Sequence, residues 1–311
     1  MTDTITIGPP NARTDPTTGL RTYRWRGVDY PSVTSVRRLA GVPHGLVAWQ
    51  LNQVIRRATE QHDELTAMLT RERRPRERVL ESNRVAEAGR WLRSAAVEER
   101  DRSAALGTAV HDCASRGMTP DDVPDVLAFA DHGRDVEIPG DLIRPRLAQY
   151  RDWLAVSGAT IVGSEFQCFS PSIGYAGTCD ILARFPAGAV HVVDIKTGQG
   201  IYAEHAMQVM AYAMADLVGR DDEVDAYLTD ELRAHTGLGV LHLADDGWEY
   251  VVLRRDPATW DAFRGLLTFA TWMAAHPDAA SITAASRRSG ERDITNARIA
   301  AAFDATRGAA A

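Results

Sequence analysis

The apolar pattern of this chain changes period at Gly158, and that change limits the folds open to it. From Gly45 to about Gly117 the sequence is rich in Arg, Glu, Ala and Leu with helical periodicity, broken near Arg73-Arg74-Pro75. Two or three helices are expected there, the last containing Gly107-Thr108-Ala109-Val110-His111. After Gly158 the apolar residues gather into short runs, Thr160–Cys168, Gly174–Phe185 and Val190–Lys196, separated by Pro/Ser/Gly and Pro/Ala/Gly turns. A helix then fits Ala203–Val218. Two strands follow, Gly239–Leu243 and Glu249–Leu253, hinged on Asp245-Asp246-Gly247, and a helix fits Pro257–Ala275. Ahead of the helical stretch, Thr22–Tyr30 reads as a hairpin about Gly27, and Pro31-Ser32 as a helix start with Gly41 as its stop. Residues 118–140 hold three prolines and are expected to be loop with one short helix, before a helix over Asp141–Val156. The sum is an α/β fold: a mixed sheet flanked by helices behind a largely helical amino-terminal region. The boundaries fall at 1–103, 104–278 and a loosely ordered Ala/Ser/Arg/Thr tail, 279–311.

Composition removes several classes. No apolar run approaches the roughly 20 residues of a membrane span. MTDTITIGPP lacks a basic segment followed by an apolar one, and three cysteines cannot staple a fold of 311 residues. A cytoplasmic protein with no membrane association is expected. The net charge of −7 is unevenly spread: the first 110 residues carry +5 and the remainder −12. A basic front half is compatible with a phosphate-bearing partner, and an acidic rear half with carboxylates gathered for a metal.

The basic residues carry more information than the net charge. Of 35, 34 are Arg and one is Lys, at position 196. A sequence with this bias uses Arg wherever a generic positive charge suffices. The exception marks a place for a compact point charge rather than a planar guanidinium. Two residues earlier on the same expected strand stands Asp194, and residues two apart share a face, so Asp194 and Lys196 project together while Ile195 points into the core. Asp180 lies on the preceding strand and Glu165 one strand earlier. Carboxylates aimed at one spot repel each other, and a divalent cation with oxygen ligands relieves this. His111, on the helix ahead of the sheet, can add an imidazole.

These residues carry a family resemblance. Gly107-x-x-x-His111, Gly177-x-x-Asp180, Asp194-Ile195-Lys196-Thr197-Gly198 and Gln208-x-x-x-Tyr212, in that order, resemble the motifs of the PD-(D/E)XK nuclease superfamily in its RecB-like branch of phage-type and CRISPR-associated-type exonucleases. Pro31-Ser32-Val33-Thr34 and Trp49 resemble, with less specificity, the amino-terminal part of phage-type members. The resemblance spans about Ala104–Leu253 and implies a restriction-endonuclease-like core. It implies one or two Mg²⁺ or Mn²⁺ ions held by His111, Asp180, Asp194 and the Ile195 main-chain carbonyl, with Glu165 on a second ion. Asp180, Asp194, Lys196 and Glu165 become the catalytic set, Lys196 orienting water or stabilising developing charge. Gln208 and Tyr212 would face the site and the DNA strand.

The iron–sulfur members carry three further cysteines after the core, which this chain lacks, so no cluster is expected. No GxxxxGK[ST] loop is present, hence no motor. Arg56-Arg57 and the run containing Arg73, Arg74, Arg76 and Arg78 could track a phosphate backbone or form a solvated helical face. Trp25, Tyr30 and Trp49 could stack bases, but core packing is the readier reading. The expectation is a metal-dependent DNA exonuclease of phage or prophage recombination, with DNA and a single-strand annealing or recombination protein as partners. A structure-specific or restriction-type endonuclease of the same fold, or an inactive DNA-binding module, is the alternative. Nothing in the sequence reads on oligomeric state.

Overall fold

The computed structural model describes residues 5–6, 12–15, 18–41, 44–70, 81–131 and 134–277. In chain order the front part holds β1 (Ile5–Thr6), β2 (Ala12–Thr14), β3 (Arg21–Trp25), β4 (Val28–Pro31), α1 (Val33–Arg38), α2 (His44–Glu60), α3 (His62–Thr70) and α4 (Glu81–Ser115). Then come β5 (Val126–Asp131), β6 (Arg134–Pro139), α5 (Gly140–Ser157), β7 (Thr160–Ser170), β8 (Tyr175–Arg184), β9 (Val190–Lys196) and α6 (Ala203–Ala213). The chain continues through β10 (Leu217–Arg220), β11 (Glu223–Val224), α7 (Ala226–Arg233), β12 (Gly237–Leu243), β13 (Trp248–Leu253) and α8 (Pro257–Ala275). The protein is mixed α/β, as its periodicities indicate.

The main sheet runs β11-β10-β7-β8-β9-β12-β13. Its strands pair antiparallel except β9 with β12, which run parallel. Val-His-Val-Val-Asp-Ile-Lys of β9 is a nearly continuous apolar run because both of its faces are covered. On one face Val190 and Val192 pack with Val209 and Met210 of α6 and Phe263 of α8. On the other Val193 and Ile195 pack with Val110 of α4 and Leu147 and Trp153 of α5. Asp194 and Lys196 therefore emerge on the α6 side, while Ile195 is buried on the α4 side.

The front part does not divide where the composition does. α4 is one 35-residue helix, so the 103/104 boundary falls inside it. The β3–β4 hairpin and α1 pack on the sheet rather than apart from it. Ser32 bridges Ala176, the Tyr23 hydroxyl lies 3.0 Å from Thr178 Oγ1, and the rings of Trp25 and Phe169 are 4.5 Å apart. Trp25 is a core residue, 2% exposed. The start of α1 is capped as expected, the Ser32 side chain accepting from the Ser35 N–H.

Two expectations fail. Among the described residues of 118–140 there is a single 3₁₀ turn, Pro120–Asp122, but Val126–Asp131 and Arg134–Pro139 pair as the antiparallel strands β5 and β6. Leu127, Phe129 and Ile138 bury its inner face, a two-residue alternation per strand too short to read beside three prolines. The helix expected over Ala203–Val218 stops at Ala213, because Leu217 and Val218 pair with Phe169 and Cys168 at the sheet edge. α7 was not foreseen. It is capped by Asp225, buries only Thr229 and Leu232, and gives a weak apolar signal. The tail 279–311 lies outside the described residues. No helix among the described residues is long and apolar enough to cross a membrane.

Candidate metal centre

Two glycines set how closely the surrounding helices approach the sheet. A Cβ on Gly107 of α4 would lie 3.1 Å from Thr197 Oγ1, just past the end of β9. His111, one turn further along α4, is thereby brought over that strand end. A Cβ on Gly177 of β8 would lie 2.6 Å from Tyr212 Cε1 and 3.2 Å from Val33 Cγ2. Only glycine lets α6 and α1 close on β8 at that point.

His111 Nε2 is 3.2 Å from the Ile195 carbonyl oxygen; Nδ1 is 3.3 Å from Glu165 Oε1 and 3.6 Å from Asp180 Oδ2. The Ile195 carbonyl can only accept, so Nε2 carries a proton. Burial pulls the pKa of the ring down, but Asp180 and Glu165 outweigh burial and raise it to about 9. In the metal-free protein a proton thus supplies the positive charge these carboxylates need.

Asp180 sits where the β8–β9 ladder stops. Pairing runs from Arg184↔Val190 to Ile181↔Val193, and then the Asp180 carboxylate accepts the Ile195 N–H at 2.7 Å in place of a strand partner. Burial pushes its pKa up and His111 pulls against that. Opposite it, Glu165 has φ +49°, a left-handed conformation that costs an L-residue about 1–2 kcal/mol. The face alternation of β7 and β8 breaks there: Phe166 pairs with Cys179 on the α6 side, whereas Ser164 pairs with Ile181, which packs on the α4 side. Strain retained at such a point is a mark of functional sites.

Asp194 is held differently. It is 0% exposed, Oδ1 accepts from Gln208 Nε2 at 2.9 Å, and Oδ2 is ion-paired with Lys196 Nζ. Burial pushes the Asp194 pKa up, with Lys196 opposing. Lys196 also donates to the Ile195 carbonyl at 3.2 Å. Gln208 donates in turn to the Tyr212 hydroxyl at 2.9 Å, and Tyr212 bonds the Thr34 side chain.

The residues present fit a divalent cation. One donor atom each from His111, Glu165 and Asp180 lie within 4.8 Å of one another. Cis and trans ligands of an ion with bonds of about 2.1 Å are about 3 and 4.2 Å apart, so small shifts suffice. Two carboxylates and an imidazole suit Mg²⁺ or, better, Mn²⁺.

Of the residues foreseen, His111, Glu165, Asp180, Asp194, the Ile195 carbonyl and Lys196 do meet. Glu165 belongs to the group containing His111 and Asp180, and Asp194 stands outside it with Lys196. Gln208 and Tyr212 reach the site as expected, at 6% and 2% exposure, with the Gln208 amide donating to Asp194 and to the Tyr212 hydroxyl. Arg73, Arg74, Arg76 and Arg78 lie outside the described residues. Arg56 pairs with Glu60; Arg57 bonds the Trp91 carbonyl, Ser94 and Glu98, and so joins α2 to α4 instead of facing solvent. Cys113, Cys168 and Cys179 are buried and unbridged. Sequence reasoning missed His205 and His242, which stand beside Lys196. The signal for His242 is register, since it is paired with Lys196 across β12–β9, and that for His205 is its place three residues before Gln208 on α6.

No family model matches the sequence, and no curated protein matches it. Among solved structures the chain is similar to the crystal structure of SSO0001, at 16% identity and a TM-score of 0.27. That likeness covers 43% of this chain, which spans 59% of that one.

Proposed function

We propose that this chain is a metal-dependent deoxyribonuclease that hydrolyses phosphodiester bonds, working as an exonuclease on linear DNA. The observation that carries the reading is the meeting of His111, Glu165 and Asp180, from α4, β7 and β8, beside the buried Asp194–Lys196 pair. The order and spacing of the four motifs, which resemble those of RecB-like nucleases, point the same way. His111, Glu165 and Asp180 would hold the ion. When bound, Mg²⁺ or Mn²⁺ would lower the pKa of a water and offset charge on the scissile phosphate.

The chain's own groups have separable tasks. His111 would hold the ion through an unprotonated Nδ1, while its Nε2–H on the Ile195 carbonyl fixes the ring. Lys196 is held by Asp194 and the Ile195 carbonyl, and its 20% exposed side chain offers the remaining N–H to a phosphate oxygen or to the attacking water. Gln208, braced by Tyr212, keeps the Asp194 carboxylate turned toward Lys196. An inert DNA-binding module would not need this complete set of carboxylates and lysine. The resemblance also assigns the activity to phage or prophage recombination, alongside a single-strand annealing or recombination protein. Digestion of linear and covalently closed circular DNA, each with Mg²⁺ and with EDTA, tests the reading. Loss of linear DNA alone supports an exonuclease. Nicking or opening of circles would make it an endonuclease, and inertness toward both would leave only a binder.

A further inference from the structure

The end of β9 has a side that the metal centre does not use. Lys196 there lies beside His242 of β12, and α6 packs across both strands. On α6, His205, Gln208 and Tyr212 are spaced i, i+3 and i+7, which aligns them along the helix, and all three are buried. Gln208 and Tyr212 are engaged with Asp194. His205 is not. Its Nδ1 accepts the Tyr202 N–H at 3.1 Å, closing the first turn of α6 in the manner of a capping box. A neutral ring whose Nδ1 accepts must carry its proton on Nε2. Among the described residues that N–H has no hydrogen-bond acceptor, and it is not one of the fully buried unbonded atoms, so it is open to an incoming group. His242 differs, its Nε2 lying 2.6 Å from the Gly198 carbonyl oxygen. The charged and titratable groups around His205 are Lys196 and Asp194 of β9, Arg37 of α1, His242 of β12, and Glu204, which pairs with Arg37 at 3.6 Å. Burial, then Lys196, pulls the His205 pKa down to about 4, so the ring is neutral at ordinary pH.

We infer that the Nε2–H of His205 donates a hydrogen bond to a non-bridging oxygen of a DNA phosphate, on the Lys196 side of the site and opposite the His111–Glu165–Asp180 group. The site then has a cation half and an anion half, with the scissile phosphodiester between them. His205 binds and orients; it neither gives nor takes a proton. The inference rests on the phosphodiesterase reading above.

Substitution separates this role from helix capping. His205→Gln keeps an acceptor for the Tyr202 N–H and an N–H donor at the far end of the side chain, whereas His205→Leu removes both. Single-turnover cleavage of linear DNA in saturating Mg²⁺ is measured well below the melting temperature of each variant. The expected result is about a 10- to 100-fold loss for His205→Leu, equal at pH 6 and pH 8, with His205→Gln within about threefold of wild type. Cleavage by His205→Leu near the wild-type rate would reduce His205 to a cap and overturn the inference while leaving the nuclease reading intact. Equal losses in both variants would overturn the donor role. A wild-type protein that cleaves nothing in Mg²⁺ would overturn both readings together. Should the leucine variant fail to fold, ¹⁵N spectra of the wild-type protein decide. An Nε2–H tautomer whose signal moves when a short phosphorothioate oligonucleotide binds in Ca²⁺ is expected, and an Nδ1–H tautomer would refute the assignment.

Discussion

The two sides of the β9 end solve opposite electrostatic problems. On one side His111, Glu165 and Asp180 come from three elements and have mainly one another as partners, with side chains 22%, 36% and 10% exposed. On the other, Asp194 is wholly buried and tied to Lys196, Gln208 and, through Gln208, Tyr212 and Thr34. The first side is a set of like charges that only a proton or a cation reconciles. The second is already balanced, so it is stiff before anything binds. The comparison predicts that charge removal will lower stability on the second side only, while abolishing activity at both.

The largest effect is expected from the carboxylates themselves. Asp180→Asn and Asp194→Asn should each lower single-turnover cleavage in Mg²⁺ by about a thousandfold or more. Their metal-free melting temperatures should diverge. Asp180→Asn keeps an oxygen for the Ile195 N–H, and the relief of burial and of repulsion with Glu165 offsets the lost attraction to His111, so its melting point should hold. Asp194→Asn leaves Lys196 without its counter-ion in a mostly buried place and should melt lower. Digestion by either variant near the wild-type rate would remove that residue from the site.

Lys196→Arg should come next. It conserves charge, and in a chain with 34 arginines a generic site would tolerate it. Here the group fits between the Asp194 carboxylate and the Ile195 carbonyl, a space for an ammonium. A loss of about a hundredfold in single-turnover rate is expected, some 3 kcal/mol of transition-state stabilisation, with DNA affinity in Ca²⁺ nearly unchanged. An arginine variant cutting within a few-fold of wild type would mean that Lys196 supplies charge alone.

The pH dependence of metal binding sharpens the contrast further. The folded pKa of His111, about 9, lies above its ordinary 6.5. Its contribution to metal-free stability is therefore complete below pH 6.5 and is lost as the pH rises through about 9. The raised pKa of Asp180 acts in the same direction. Metal must displace the Nδ1 proton, so apparent Mn²⁺ affinity should rise between pH 7 and pH 9 by up to about tenfold per unit. Calorimetric titrations in two buffers of different ionisation enthalpy would detect the released proton. Affinity flat across that range would contradict an imidazolium at His111.

The smallest predicted effects come from the two motif glycines. Gly177→Ala drives a methyl into the Tyr212 ring and should cost about 1–3 kcal/mol, with partial loss of cleavage because Tyr212 braces Gln208. Gly107→Ala meets only the Thr197 hydroxyl at 3.1 Å and should cost less. Thermal melts of both variants give the order; the reverse order would mean that α4, not α6, is the tightly seated helix.

Most of this site was legible because its residues fall on elements with strong periodicity. Asp194 and Lys196 are two apart on a strand, and Gly107 with His111, like Gln208 with Tyr212, are four apart on a helix. What the sequence hid is long-range. Nothing in the spacing says that Glu165 breaks its strand with a left-handed φ, that Thr34 of the front part reaches Tyr212, or that Asp194 turns toward Gln208. The β5–β6 hairpin and α7 escaped for a different reason: the hairpin buries Leu127, Phe129 and Ile138 and α7 only Leu232 among apolar side chains, too few to set a period.

A crystal soaked in Mn²⁺ and measured at the manganese absorption edge tests the central claim most directly. An anomalous peak within bonding distance of His111 Nδ1, Glu165 and Asp180 is predicted, with Lys196 alongside and not displaced from Asp194. A peak bound elsewhere, or none at a saturating Mn²⁺ concentration above pH 8, would contradict the assignment of this cluster as the metal centre.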